Sequence, residues 1–260
     1  MDSLNTYTRT LKKHYSKVMK NFDYDVPEVV FYSKEDIDEM SFSEIYQNKC
    51  KSLVMYEDEL TIINTIIKNK CKPLLVIRNN LSNPIELVKN GGASNLIYYC
   101  SNLLTWFRNN TNSIKIMEEG ITVFDNVVIY KDSNFSDVRP HNVSVAMINT
   151  PIKPNIIFQD YDYIYQYDYD KHKMENAIDM ILSYAESNDY DIVIFDDLGC
   201  VKDDNPYLDV VNILNDIVPN HSVKGIVYSI RLPMSSVYLQ KTKHVKGDIF
   251  KYFDSHIDKN

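Results

Sequence analysis

Two stretches of this chain carry residue types and spacings that could do chemistry. The first, DDLGCVKDDNP at 196–206, packs Asp196, Asp197, Asp203 and Asp204 into eleven residues. Paired carboxylates at the end of a strand are a hard-cation arrangement suited to phosphoryl chemistry. The spacing fits no metal motif, however, and histidine partners are lacking nearby. Asp204, Asn205 and Pro206 serve equally well as turn and helix-start residues, so no metal is expected. The second stretch, NPIELVKNGGASNLIYYCSNLL at 83–104, opens on an Asn-Pro turn, carries Gly91-Gly92 in its middle and closes on an apolar run. That is the outline of a loop that cradles a ligand and then launches a helix. Its only acid is Glu86 and its only base is Lys89.

Other chemistries lack their residues. No Gly-x-Gly-x-x-Gly, P-loop or Gly-x-Ser-x-Gly pattern occurs, so dinucleotide, P-loop and hydrolase-elbow readings are unsupported. Cys50, Cys71, Cys100 and Cys200 are widely spaced with no Cys-x-x-Cys pair, which leaves a zinc knuckle unsupported. The six histidines are scattered, mostly beside polar residues. A net charge of −8 argues against nucleic acid as the main partner, because phosphate binders carry a basic face. The first residues lack the apolar core of a signal peptide, and no apolar run is long enough to span a bilayer. An intracellular, reduced protein without membrane contact and without a cofactor is the expectation.

The elements that must position these stretches follow from periodicity. Strands are expected at Leu53–Tyr56, Leu74–Arg78, Val127–Tyr130, Val143–Ile148, Asp191–Phe195 and Gly225–Ile230, several as continuous apolar runs covered on both faces. Helices are expected at Glu57–Lys68, Lys173–Ser187 and Leu208–Val218. Alternating strands and helices predict an α/β layered fold with a mainly parallel or mixed sheet. Both chemical stretches directly follow a strand, where open α/β sheets place their ligand crevice. A helical N-terminal extension is expected over residues 1–29, one domain over 30–235, and an amphipathic tail over 236–260. The segment FQDYDYIYQYDYD at 158–170 alternates tyrosine with polar residues, mostly aspartate. In a strand this would put all the tyrosines on one face, able to stack a base or sugar or, more simply, to lie on the protein.

Taken in order, these segments resemble the microbial-type poly(ADP-ribose) glycohydrolase family, a relative of the macrodomains. That family has an Asn-Pro turn, three glycines, an Asn-Gly-Ala step, a Gln-Glu-Glu opening a helix, and a cysteine after it. Without a gap, Asn83-Pro84 and Asn90-Gly91 match the first and third of these, and Cys100 falls on the cysteine. FYSKEDI (31–37), VVIYKDSN (127–134) and MINTPIKPN (147–155) resemble further family segments. In the late loop, Gly199-Cys200 and Asn205-Pro206 hold the matching places. The resemblance covers about residues 30–231. It implies a macrodomain-like mixed central sheet flanked by helices on both faces. It also implies a ligand cleft built from Asn83, Glu86, Asn90, Gly91, Asn95, Gly199, Cys200 and Asn205.

The departures bear on function. Ile85, Glu86 and Leu87 stand where the family has three glycines, and Asn95, Leu96 and Ile97 where it has Gln-Glu-Glu. In the family those carboxylates hold the ribose hydroxyls and protonate the leaving group, a task Leu96 and Ile97 cannot perform. Bulky Ile85 and Leu87 would obstruct the backbone approach that glycines allow. Val201, Lys202, Asp203 and Asp204 replace the Gly-Val-Phe-Gly of the late loop and add negative charge where a diphosphate would sit. The expectation is a catalytically inactive module that binds or interacts, with no catalytic residue. Weak binding of ADP-ribose or a related nucleotide without turnover ranks second, and an enzyme with acids relocated to Glu86 or Asp203 ranks third. A protein partner is expected but unspecified. The Asn, Ile, Lys, Asp and Tyr bias suggests an AT-rich genome such as that of a large DNA virus.

Overall fold

The computed structural model describes residues 26–40, 50–78, 84–85, 96–109, 120–230 and 253–259. In chain order its strands are β1 (Glu28–Ser33), β2 (Lys51–Met55), β3 (Pro73–Arg78), β4 (Gly120–Lys131), β5 (Asp137–Ile148), β6 (Ile156–Gln159), β7 (Asp162–Tyr165), β8 (Ile192–Phe195) and β9 (Gly225–Ser229). Its helices are α1 (Lys34–Asp38), α2 (Glu59–Lys68), α3 (Ile97–Cys100), α4 (Leu103–Asn109), α5 (Asp168–Ser187) and α6 (Tyr207–Ile217).

Seven strands join in the order β1-β4-β5-β3-β8-β9-β2, while β6 and β7 form a separate hairpin. Strands β5, β3, β8, β9 and β2 run parallel, and β4 is antiparallel to both of its neighbours. The sheet is therefore mixed, as expected. Its central strands are the continuous apolar runs of the sequence, and alternation sends their side chains to opposite faces. Leu74 and Val76 of β3 enter a core shared with α5 and α6. Leu75 and Ile77 enter a second core shared with α2, α3 and α4. Helices thus cover both faces.

Helix α5 buries Met174, Ala177, Ile178, Ile181, Leu182 and Ala185 along one stripe. It begins earlier than its apolar spacing predicts, because Asp168 and Asp170 fill the first turn, where the helix dipole favours carboxylates. In α6 the buried set is Val210, Val211, Ile213 and Leu214, Val218 just beyond it is buried as well, and Leu208 is half-buried. The segment FYSKEDI divides between β1 and α1. Ser33 Oγ accepts from Asp36 N at 3.1 Å, and Ser33 N donates to Asp36 Oδ2 at 2.7 Å, a reciprocal cap that starts the helix.

Of the helical extension expected over residues 1–29, residues 1–25 lie outside the described residues, and Glu28 and Val29 belong to β1. Of the expected tail, residues 253–259 are described and return to the main core. Phe253 is fully buried with its ring 6.3 Å from that of Tyr228, and Asn215 Nδ2 donates to His256 O at 2.8 Å.

Candidate functional site

Strands β3, β5 and β8 lie side by side and parallel, so Arg78, Ile148 and Phe195 bring three loops to one edge of the sheet. At the centre stands Arg78, the one charge in an otherwise apolar buried strand, with only 6% of its surface exposed. Its Nε donates to Asp196 Oδ2 at 3.0 Å, and its Nη2 lies 3.4 Å from Asp197 Oδ1. Its Nη1 pairs with Asp203. Burial works against the charge of Arg78, but the three carboxylates outweigh it and hold the guanidinium protonated. For Asp197 and Asp203 burial dominates instead, raising both above the usual carboxylate range although Arg78 opposes the shift.

The same carboxylates also consume the amides of their own loop. Asp196 Oδ1 accepts from Leu198 N at 2.8 Å, and Asp197 accepts from Gly199 N at 3.0 Å and Val201 N at 3.2 Å. Three of the four aspartates that suggested a hard-cation site are thus turned onto a cation the chain supplies itself. Backbone N–H groups at such a loop are what an incoming phosphate would use. Here they already hold anions.

Of the residues assigned to the cleft, Asn83, Glu86, Asn90, Gly91 and Asn95 lie outside the described residues. Gly199, Cys200 and Asn205 fall together in the loop after β8. Gly199 has φ +86°, and a Cβ there would lie 2.5 Å from Asn205 Nδ2 and 2.9 Å from Arg78 Nη1. Cys200 is buried, and burial pushes its thiol well above the ordinary range. Asn205 is 1% exposed and binds inward: Nδ2 donates to Pro151 O at 3.0 Å and Leu198 O at 3.2 Å, while Oδ1 accepts from Tyr165 Oη at 2.8 Å. It fastens the loop to the β6–β7 hairpin.

On the other side of β3, Leu96 and Ile97 open α3 at the positions where the resemblance places carboxylates. Both are core residues, 1% and 0% exposed, packed with Tyr99 and Cys100 on the α2 face. Ile85 packs half-buried against the same core. Helix α3 has no side-chain cap of its own. Its leading amides go instead to buried Glu59 of α2, whose Oε1 accepts from Leu96 N and, at 3.4 Å, from Ile97 N.

Arg78 and Glu59 are the residues that sequence reading missed. A lone arginine closing a continuous apolar strand must find carboxylates, and that was a usable signal for Arg78. Glu59 follows the N-cap Asp58 and reads as an ordinary first-turn acid. Elsewhere, a cavity of about 140 Å³ lies between α1, α5 and the ends of β4 and β5, lined by Lys34, Asn149, Tyr169, His172 and Lys173 among others. It is smaller than the several hundred Å³ (roughly 300–1,000) of drug-sized ligand sites.

No protein-family model matches the chain, and no curated protein matches it at a significant level. Solved structures do. The poly(ADP-ribose) glycohydrolase of Thermomonospora curvata superposes with a TM-score of 0.72 at 9% identity, covering 96% of this chain and 100% of that one. The same enzyme bound to the inhibitor ADP-HPD gives 0.69 at 9%, covering 94% and 99%. The Deinococcus radiodurans glycohydrolase in complex with ADP-ribose gives 0.57 at 11%, covering 92% and 96%. Among the described residues, no helix is long and apolar enough to cross a membrane. At such low identity the likeness is one of architecture, and in architecture the chain has the fold of the bacterial poly(ADP-ribose) glycohydrolases.

Proposed function

We propose that the protein is a non-catalytic relative of poly(ADP-ribose) glycohydrolase that works as a binding or interaction module. One observation carries the reading: at the strand-end crevice the buried cation Arg78 and the amides of Leu198, Gly199 and Val201 are all engaged by Asp196, Asp197 and Asp203. Three carboxylates against the guanidinium and the neighbouring Lys202 leave an excess of negative charge, and a diphosphate would have to displace charge-assisted bonds to enter. The packing of Leu96 and Ile97 into the core supports the same reading, since neither can donate a proton to a leaving group. The four free cysteines fit a reduced, intracellular setting.

Calorimetry with ADP-ribose and a turnover assay on a poly(ADP-ribosyl)ated substrate test this. The expected result is no turnover and a Kd no tighter than about 1 mM. Micromolar binding without turnover would establish a nucleotide-binding module instead. A second reading rests on Asp203, whose titration burial raises against the pull of Arg78, the direction a general acid needs. Turnover in the wild type that disappears in Asp203→Asn would make that reading correct and ours wrong.

A further inference from the structure

Among the described residues, eight of the thirteen exposed large hydrophobic ones fall between Ile152 and Tyr169. Phe158 is 63% exposed, Tyr169 70% and Tyr161 95%, whereas Tyr165 alone of the five alternating tyrosines is buried. The tyrosines do not form one strand face. Tyr161 sits in the turn, Tyr163 and Tyr165 in β7, Tyr167 caps α5 and Tyr169 lies in its first turn. Such clustering of exposed apolar side chains marks an interaction site.

The hairpin is held firmly at its base and left open at its outer edge. Tyr165 Oη donates to Asn205, and Tyr165 N donates to Asp209 Oδ2 on α6 at 2.6 Å. Tyr165 pairs with Ile156 and Tyr163 with Phe158, so Ile156 and Phe158 aim their backbone groups off the opposite side. Among the described residues β6 has no strand there. At the tip Asp160 and Tyr161 both adopt positive φ, 49° and 71°, in a turn that favours glycine at its second place.

Charge selects the occupant. Residues 156–170 carry Asp160, Asp162, Asp168 and Asp170 and no Lys, Arg or His, which is half of the net charge of −8. Aromatic rings alone could stack nucleic-acid bases, but four carboxylates repel a phosphodiester chain. They equally repel a second copy of this hairpin. Arginine satisfies both features, since its planar guanidinium stacks on aromatic faces while pairing with carboxylates. We propose that the β6–β7 hairpin and the start of α5 form a docking edge for an extended, arginine-bearing basic polypeptide segment, added as a strand beside β6. This surface is separate from the crevice and does not depend on whether the crevice binds a nucleotide.

The test is fluorescence anisotropy of a labelled peptide alternating arginine with valine, titrated with the full chain and its variants. Tyr161→Gly suits the backbone of the turn, so its thermal stability should not fall, yet its affinity should drop about tenfold with the ring gone. Tyr163→Ser and the fourfold Asp→Asn variant at 160, 162, 168 and 170 should weaken binding as much, and the lysine version of the peptide should bind more weakly than the arginine one. The proposal is overturned by absent binding, or by binding that these variants leave unchanged. It is equally overturned if a single-stranded oligonucleotide binds in the peptide's place, or if the variants abolish self-association of the chain.

Discussion

Arg78 and its three carboxylates hold the centre of the sheet edge, and the pairing is unequal. Removing the guanidinium strands three partly buried negative charges, whereas removing one carboxylate leaves two. Arg78→Met should therefore cost about 3–5 kcal/mol of folding stability in urea denaturation, within the range for breaking buried ion pairs. Asp203→Asn should cost no more than about 1 kcal/mol, because the amide oxygen still accepts from Arg78 and the excess of negative charge falls. Equal losses for the two would mean that the cluster is held by packing and not by charge. Gly199 is bound to the same arrangement, since its positive φ and the 2.5 Å approach of Asn205 leave no room for a Cβ. The sequence could reveal the aspartates and the glycine as a loop. It could not reveal their partner, because Arg78 lies 118 residues away along the chain from Asp196.

Among the elements, α3 is held by packing at the positions where the resemblance places polar residues. It is a four-residue helix without a side-chain cap, and buried Glu59 reaches across from α2 to take its leading amides. Glu59→Ala should leave these amides without that acceptor and lower stability by about 1–3 kcal/mol for each one buried unpaired. Glu59→Gln keeps an oxygen in place and should lose clearly less, a difference readable from paired chemical melts. Elements of this kind set the limit of what periodicity reveals. The apolar runs of β3, β8 and β9 and the stripe of α5 were legible because burial alone decides them. Strand β1 was not, since its short pattern is half exposed and runs straight into a capped helix. The β6–β7 hairpin was hidden because its turn uses Asp160-Tyr161 in place of the Asn-Gly that normally announces one. A period of two over the tyrosines was real in sequence but crossed a turn, a strand and a helix start.

For the whole molecule, stability against pH depends on how distant elements exchange protons on folding. His221, just before β9, is clamped by two carboxylates of α5: Nε2 lies 3.0 Å from Asp179 and Nδ1 3.0 Å from Glu186. Burial works against its charge, but these hydrogen bonds outweigh it and raise its pKa from 6.5 to about 9. The folded state thus binds the proton more tightly than the unfolded chain. Its stabilisation is complete below pH 6.5 and is lost as pH rises through about 9. Glu186 acts at the other end of the range, being lowered from 4.5 although burial alone would raise it, so its contribution disappears only as pH falls below that value. Asp197 and Asp203 are shifted upward and favour the folded state as acid is added, which blunts the acid limb. Buried thiols such as Cys50, pushed up to about 11 by burial, enter only above their ordinary value of 9.0. The window between pH 6.5 and 9 is therefore the one in which His221 dominates. The melting temperature should fall by a few degrees (about 3–5 °C) across it, and His221→Gln should flatten that slope while lowering the plateau at pH 6. A slope that survives the substitution would place the titrating group elsewhere and leave the contact between α5 and the β9 edge as packing without a proton link.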